Sequence, residues 1–402
     1  DYLMGVFCKL PFTHIFSDSY GMMMPCCHAS VDHPHKTDRP GDFPCAPVED
    51  GILKYWKSSE MSQLRLDMMK DEPSDLIKSV CWQCIHNEKI GLPSARVPHP
   101  TVPMGRELYV KLRLFGNRCN LSCFMCNIKN SDTRIRQTEK MMEHEPDVRE
   151  YLSYDDVPEY LKKDNGFDLA SQSPEVFDML MEDIKKLAHR IRHITIIGGE
   201  PMILPSHYKL LDALIDCGQS QNIILGYDSN LTKLQWRDNK VLNYFDKFKS
   251  VEIKWSIEGV GKYDEYIRFP TDWKTVEENF DYISRHPKVS LTANACISLL
   301  SVINMDLLID FLDAKGLHCN FITVDVPEVT SVGYLHPNIR KRLSDKYRGT
   351  KLEFLCKILG KDYDDWEERW NKAIKYLNSF DFANGTNWKE TFPELCDLSE
   401  DR

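Results

Sequence analysis

The chain has 402 residues, of which 42% are hydrophobic and 28% are charged, a composition ordinary for a globular protein with one large domain and a smaller one. Its formal net charge of −10 disfavours a nucleic-acid partner, because a phosphate backbone favours a basic surface. No apolar run approaches the roughly 20 residues that cross a bilayer. Asp1–Met4 shows neither the basic nor the apolar region of a secretion signal. We therefore expect a cytoplasmic protein without a membrane partner.

The chain carries 14 cysteines, and metal or redox chemistry explains them better than disulfides in a reducing compartment. We expect five of them, scattered singly among apolar neighbours, to be small buried hydrophobes. The other nine fall within the first 126 residues: Cys8, Cys26, Cys27, Cys45, Cys81, Cys84, Cys119, Cys123 and Cys126.

Residues 1–105 predict an irregular, loop-rich domain. Several prolines interrupt its first half, and one helix is expected over Ile52–Met69. The segment has too few periodic apolar residues to bury a core of its own. A metal cluster would supply the missing cross-link.

Residues 106–335 predict strand–helix units around a parallel sheet. Val176, Leu180, Ile184, Leu187 and Ile191 recur at helical spacing between two β-rich runs. After a long first gap the runs recur about every 30–40 residues, which favours an α/β fold with a partial (β/α)6 TIM-like barrel. The expected strands are Tyr109–Leu114, His193–Ile197, Ile223–Tyr227, Val251–Ser256, Ser290–Ala295 and Asn320–Val326.

Two charged segments complete the organisation. Residues 128–172 form an insertion that we expect to be a solvated surface excursion, although long loops at barrel mouths often cover substrates. Residues 336–402 predict a C-terminal helical extension with a helix over Tyr363–Asn378.

Three cysteines, Cys119, Cys123 and Cys126, directly follow the first barrel strand. Three thiolates on one short loop can face one point and ligate an iron–sulfur cube, which leaves one iron without a protein ligand. That iron could hold a substrate or cofactor. The alternative is a zinc site, which usually needs a fourth Cys or His nearby. His28 and His86 are distant in sequence, so the cluster is favoured.

The Cys-x3-Cys-x2-Cys spacing, with Phe124 and Met125 before the last cysteine, resembles the signature of the radical S-adenosylmethionine (SAM) superfamily. The resemblance continues at the end of the second strand, where the family places a motif that binds the amino group of SAM. There, glycines allow close backbone approach and a glutamate offers an acceptor. The matching residues are Gly198, Gly199, Glu200 and Pro201.

The ends of later strands extend the same resemblance, because polar side chains at the carboxyl ends of barrel strands face an active-site mouth. It implies that Ser256 contacts the SAM carboxylate or ribose, and that Glu258, where Asp is commoner, lies near the ribose. Arg268 would bind the SAM carboxylate, unless it forms only a surface salt bridge. The further SAM-site candidates are Ser229 and Asn230, with Asn294 and Val324 as weaker adenosine contacts. No residue can be assigned as a substrate base or radical donor.

A second cysteine set resembles the auxiliary-cluster motif of SPASM and twitch domains, in which four thiolates hold a second 4Fe–4S cluster. Gly21 would form the tight turn that returns the chain towards the first cysteine. The set comprises Cys8, Cys26, Cys81 and Cys84. Cys27 is an alternative to Cys26, Cys45 is a possible extra ligand, and zinc is an alternative metal.

In the best-known members this module follows the barrel, whereas here it precedes it. The chain resembles a twitch-domain group with the module at the N-terminus. In that group the Cys-x2-Cys pair is followed by Glu, Gly, Ser and Arg. The matching residues here are Glu88, Gly91, Ser94 and Arg96. We expect the second cluster near the open end of the barrel.

The resemblance implies that an electron donor such as flavodoxin or ferredoxin reduces the first cluster. SAM is then cleaved to a 5′-deoxyadenosyl radical, which takes hydrogen from a peptide or small polar substrate. An auxiliary cluster that accepts an electron would give net oxidation or cross-linking, the favoured oxidoreductase hypothesis. The alternative is redox-neutral epimerisation, lysis or rearrangement, and a remote third is a zinc-binding scaffold without catalysis.

Overall fold

The computed structural model describes residues 7–18, 21–29, 43–89, 94, 96, 107–113, 116–162, 166–324 and 326–398. Its strands are β1 (His14–Ser17), β2 (Met22–Met24), β3 (Ala46–Pro47), β4 (Leu108–Leu112), β5 (Ile191–Ile196), β6 (Ile224–Ser229), β7 (Gln235–Trp236), β8 (Asn239–Lys240), β9 (Ser250–Ser256), β10 (Val289–Ile297) and β11 (Cys319–Thr323).

The α-helices are α1 (Leu10–Thr13), α2 (Ile52–Trp56), α3 (Ser59–Asp67), α4 (Asp75–Val80), α5 (Trp82–Lys89), α6 (Asp132–His144), α7 (Val148–Tyr151), α8 (Leu169–Gln172), α9 (Pro174–Leu187), α10 (Pro205–Asp216), α11 (Leu242–Phe245), α12 (Lys262–Ile267), α13 (Trp273–Ser284), α14 (Met305–Ala314), α15 (Pro337–Tyr347), α16 (Phe354–Leu359), α17 (Trp366–Asn384) and α18 (Trp388–Thr391). Among the described helices, none combines the length and the apolar character needed to cross a membrane.

The main sheet has the strand order β11-β10-β9-β6-β5-β4-β1-β2-β3. All pairs from β4 to β11 within it are parallel, with helices in the connections. This arrangement confirms the expected α/β fold with six parallel barrel strands, each close to its predicted position. Among the described strands, β11 and β3 form the two ends of this order and do not pair with each other, so the barrel is partial.

The first part of the chain extends this sheet. Strand β1 pairs in parallel with β4, with His14 opposite Tyr109 and Phe16 opposite Lys111, and β2 and β3 continue outward as antiparallel strands. Ile15 and Tyr55 belong to the same buried apolar cluster as the barrel. The described residues before residue 90 therefore share a sheet and a buried core with the barrel.

Helix ends differ from the sequence expectation for local reasons. The single helix expected over Ile52–Met69 is two helices, because extended Ser58 caps the second one and accepts a hydrogen bond from the Met61 amide at 3.2 Å. Ile191 begins β5 instead of continuing the helical stripe of α9. The C-terminal helix α17 runs past Asn378 until left-handed Gly385 ends it.

Side chains alternate across the barrel strands and define two faces. In β9, Val251, Ile253 and Trp255 are buried, and Trp255 stacks on Phe280 of α13 with ring centroids 5.0 Å apart. The intervening Glu252 and Lys254 are exposed on the opposite face. We call that opposite, polar side of the sheet the inner face. The loops after the barrel strands bring the candidate site together at its carboxyl edge.

Candidate active site

The structure brings most of the first predicted residue set to one cavity at the carboxyl edge of the sheet. The cavity has a volume of about 360 Å³. Its lining includes the predicted residues Cys119, Cys123, Cys126, Gly198, Gly199, Asn230, Ser256, Glu258, Arg268, Asn294 and Val324. Glu200, Pro201 and Ser229 lie behind this wall, where they are buried.

The cysteine loop is held by backbone hydrogen bonds to a distant segment. The Ser122 amide donates to the Phe269 carbonyl at 2.6 Å, and the Phe124 amide donates to the Ile267 carbonyl at 2.7 Å. The Cys119 amide donates to Asp132 Oδ1 at 2.8 Å, so the start of α6 also fixes the loop. These contacts order the loop without using a thiol. Within the described residues, the Sγ atoms make only local contacts: Cys119 Sγ accepts a hydrogen bond from the Leu121 amide at 3.5 Å, and Cys126 Sγ donates to the Asn127 carbonyl at 3.4 Å.

Burial makes the three thiols poor acids on their own. It raises the pKa of Cys119 and of Cys126, and raises that of Cys123 to about 12. Neighbouring cysteines raise the pKa of Cys119 and of Cys123 further, whereas Arg268 lowers that of Cys123. A thiolate-binding iron–sulfur cluster fits this site, because its positive irons stabilise the charged sulfurs that burial disfavours.

The three cysteines can each bind a separate iron of one cluster. In the described part of the chain, no three His, Cys, Asp or Glu side chains converge as one metal ion requires. An iron–sulfur cube asks each cysteine for a separate iron, so its ligands need not converge on one atom.

Gly199 fits tightly against the cysteine loop. Its φ is +53°, and a Cβ built there would lie 2.1 Å from the carbonyl oxygen of Arg118. The following Glu200 amide donates to the same oxygen at 3.0 Å. Glycine is therefore required at position 199 because a side chain would clash with the backbone of the cysteine loop. The sequence alone indicated only close approach to a ligand.

Glu200 has its carboxylate occupied within the protein. It accepts hydrogen bonds from the Ser229 hydroxyl at 2.9 Å, the Asn230 amide at 2.8 Å and the Met202 amide at 3.2 Å. Burial raises the pKa of Glu200 to about 7, although these hydrogen bonds oppose the rise. In this arrangement the Glu200 carboxylate joins the ends of β5 and β6.

Arg268 and Glu258 form a buried ion pair in the cavity wall, with Nη1 and Oε2 2.5 Å apart. The surface-salt-bridge alternative for Arg268 is therefore wrong, since its side chain is only 9% exposed. Sequence analysis missed Asp264, which accepts hydrogen bonds from the Glu258 and Gly259 amides at 3.0 and 3.2 Å. Its signal was an acidic residue in the first turn of α12.

The second predicted set also meets in one place. A small cavity of about 20 Å³ is lined by Cys8, Cys26, Cys81 and Cys84 together with Arg96. Burial raises the pKa of Cys26 to about 12, and burial with its cysteine neighbours raises that of Cys81. Neither alternative ligand, Cys27 or Cys45, is part of this lining, and Cys27 is exposed.

The residues after Cys84 organise this second site. Glu88 accepts hydrogen bonds from the Ser94 hydroxyl at 2.6 Å and from Arg96 Nε at 2.9 Å. Arg96 is thereby held beside the cysteines, where it lowers the pKa of Cys81 against the effect of burial. Gly91, the remaining member of the expected pattern, lies outside the described residues.

The two cysteine sets lie at opposite edges of the sheet. Cys8 precedes β1, and Cys26 follows antiparallel β2, so both are at the amino edge. Lys9 reaches the ring of Tyr109 at the start of β4, 5.9 Å from its centroid. Cys119 follows β4 at the carboxyl edge. The second set therefore lies at the amino edge of the sheet, and the first set lies at its carboxyl edge.

No family model matches the chain, and no curated protein matches it. Among solved structures it is similar to one described as native anSMEcpe with bound AdoMet, with 14% identity, a TM-score of 0.36, and coverage of 53% of this chain and 51% of that chain. The chain thus spans about half the length of that protein.

It is also similar to SuiB of Streptococcus suis. The structure described as bound to the precursor peptide SuiA has 12% identity and a TM-score of 0.37, covering 90% of this chain and 78% of that one. The structure described as bound to S-adenosylmethionine has 10% identity and a TM-score of 0.34, covering 86% and 68%.

Proposed function

We propose that this chain is a radical SAM enzyme that holds a 4Fe–4S cluster on Cys119, Cys123 and Cys126. The observation that carries the proposal is the single cavity of about 360 Å³ that these cysteines share with Arg268 and the ends of the following barrel strands. When bound, the cluster supplies the electron that cleaves SAM to a 5′-deoxyadenosyl radical, and this radical takes hydrogen from the substrate.

The lining offers a different type of contact to each part of SAM. Arg268 presents a guanidinium, one nitrogen of which is engaged by Glu258, so its other donors can bind the SAM carboxylate. Ser256 and Asn294 supply polar groups at the ends of β9 and β10, and Val324 supplies an apolar surface for adenine. Glu200 acts by holding Asn230, a lining residue, in place.

We further propose that Cys8, Cys26, Cys81 and Cys84 hold a second 4Fe–4S cluster. Their shared cavity and the nearby Arg96 support it, since a cation stabilises bound thiolates. A substrate on the inner face would lie between the two sites, which supports net oxidation or cross-linking of a peptide or small polar molecule. Redox-neutral chemistry is the alternative, and zinc in the second site would favour it.

The test begins with protein reconstituted with iron and sulfide without oxygen, then reduced with dithionite or flavodoxin in the presence of SAM. We expect 5′-deoxyadenosine and methionine by mass spectrometry. Replacing Cys119, Cys123 and Cys126 together by Ala should remove about half of the iron and all SAM cleavage. A matched control replaces Cys217, Cys319 and Cys356, which line neither cysteine cavity. SAM cleavage that survives in the first variant would contradict the proposal.

Product analysis separates the two reaction types. Mass spectrometry of candidate peptides should show a loss of two hydrogens for net oxidation. Unchanged mass with altered stereochemistry or connectivity would instead indicate redox-neutral chemistry.

A further inference from the structure

A fully buried arginine contacts the cysteine loop from the segment that we expected to be a solvated excursion. Arg134 in α6 is 0% exposed. Its Nη2 donates to the carbonyl oxygen of Phe124 at 3.1 Å, and Phe124 lies between the second and third cysteines of the loop. Arg134 therefore touches the peptide that joins two of the proposed cluster ligands.

The C-terminal helix α17 completes this contact. The Tyr376 hydroxyl donates to the same Phe124 carbonyl at 3.1 Å and accepts a hydrogen bond from Arg134. The Phe124 ring packs edge-on against Tyr376 and Phe380, with ring centroids 5.2 and 5.3 Å apart. Two segments distant in sequence thus fix the backbone and the side chain of Phe124.

Further hydrogen bonds hold the two helices together around Arg134. Gln137 Nε2 donates to Asn384 Oδ1 at 2.8 Å, and His144 Nδ1 lies 3.2 Å from the Ser379 hydroxyl. These polar pairs lie along the contact between α6 and α17. Arg134 is therefore held in place from its own helix and from α17.

Within the described ranges, no carboxylate forms an ion pair with Arg134. Its partners there are the Phe124 carbonyl, the Tyr376 phenol, the Gln137 amide and the Met141 sulfur. A buried cation without a counter-anion is strongly disfavoured. A cluster bound by three thiolates is anionic and becomes more so on reduction, so it would supply the missing negative charge.

Another buried arginine, Arg268, lies near the same loop, in the wall of the cavity that the three cysteines line. Arg268 is already paired with Glu258. Arg134 also lies beside the loop, but no carboxylate of the described residues forms an ion pair with it.

We propose that Arg134 is a positioning residue that stabilises the reduced form of the cluster on Cys119, Cys123 and Cys126, and that Tyr376 holds it against the loop. This inference rests on the proposed function, because it requires that cluster. A cation next to a cluster raises its reduction potential, since the reduced state carries the greater negative charge.

The test is an electron paramagnetic resonance redox titration of the reconstituted full chain. The signal that shifts on adding SAM reports the first cluster. Arg134→Met should make one-electron reduction about tenfold less favourable, which corresponds to a potential about 59 mV lower. Arg134→Lys keeps the charge and should stay nearer to the wild-type potential. Lys140→Met is the matched control, because Lys140 is an exposed cation on the same helix.

Tyr376→Phe provides a second measurement that keeps the ring packing. Loss of its hydroxyl leaves the Phe124 carbonyl with one donor fewer, so a chelator should remove iron from the first cluster several-fold faster. If Arg134→Met does not fold, Arg134→Gln takes its place as the neutral variant in the potential measurement, and Tyr376→Phe decides the matter by iron release. Wild-type values in every folded variant would overturn the inference. A wild-type chain that binds no cluster would instead overturn the proposed function.

Discussion

At the scale of single residues, the buried charges around the cavity depend on one another. Glu258 Oε2 contacts Arg268, its Oε1 accepts a hydrogen bond from the Cys296 amide at 3.3 Å, and its own amide is held by Asp264. Glu258 and Arg268 could be identified as site candidates from the sequence, because Glu258 follows the end of a strand and Arg268 matches a position in the family resemblance. The sequence could not indicate that they pair, since ten residues and a helix separate them.

Removing one partner of this pair should destabilise the protein. Arg268→Met leaves the Glu258 carboxylate buried and unpaired, and should lower the free energy of unfolding by about 3–5 kcal/mol while weakening SAM binding. Urea unfolding and isothermal titration calorimetry measure the two effects. The double variant Arg268→Met with Glu258→Gln should recover part of the stability but not SAM affinity. A single variant as stable as the wild type would show that the pair contributes nothing.

The burial of Glu200 predicts a specific pH dependence. Because its pKa rises from 4.5 to about 7 in the folded chain, the fold favours the protonated form. Stability from this group is complete below pH 4.5 and is lost as the pH rises towards 7. The loss totals about 3 kcal/mol. Glu200→Gln should flatten this slope in urea unfolding measured between pH 5 and 8 without SAM. An equal slope in both proteins would show that Glu200 is not the titrating group.

At the scale of elements, sequence analysis did not predict tight backbone packing or helix faces with buried polar side chains. In α6, Arg134, Gln137, Thr138 and Met141 share one helix face at helical spacing, and all four are buried. Three of these side chains are polar, so the stripe is typical of a solvated surface when read by hydropathy alone. The barrel strands were predictable because their burial is apolar.

Gly199 allows steric contact to be separated from backbone strain. Gly199→Ala places a Cβ against the Arg118 carbonyl and should reduce the iron content of the first cluster and the rate of SAM cleavage, with a stability cost of about 1–3 kcal/mol. Gly218→Ala is the control, since its φ is +71° but a Cβ there meets nothing within 4 Å. Similar effects in both variants would attribute the result to positive φ alone.

At the scale of the whole molecule, sequence separation limited what could be foreseen. The four cysteines of the second set were identified by their spacing in the sequence. Their position at the amino edge of the sheet depends on the pairing of β1 with β4, which are more than 90 residues apart. Strands of two to four residues carry little periodic signal. The N-terminal segment was therefore expected to be loop-rich, although it contributes three strands to the main sheet.

Adjacent cysteines test the ligand set of the second site. Cys26→Ala should remove the second cluster and lower the iron content by about half, because Cys26 lines the small cavity. Cys27→Ala should retain both clusters, because Cys27 is exposed and outside that lining. Mössbauer spectra in the background lacking Cys119, Cys123 and Cys126 isolate the site. If the Cys27 variant loses iron and the Cys26 variant does not, Cys27 is the ligand and Cys26 is not. Zinc in place of iron would rule out electron transfer at this site.

The pairing of β1 with β4 also governs how the chain can be divided. Strand β4 is an interior strand only because β1 covers one side of it. A chain shortened to its barrel would present the unpaired amide and carbonyl groups of β4 to solvent. Such an edge is a template for intermolecular strand addition. The N-terminal segment therefore also protects the barrel from edge-to-edge aggregation, and separating the two regions should yield insoluble protein even where each keeps its cysteines.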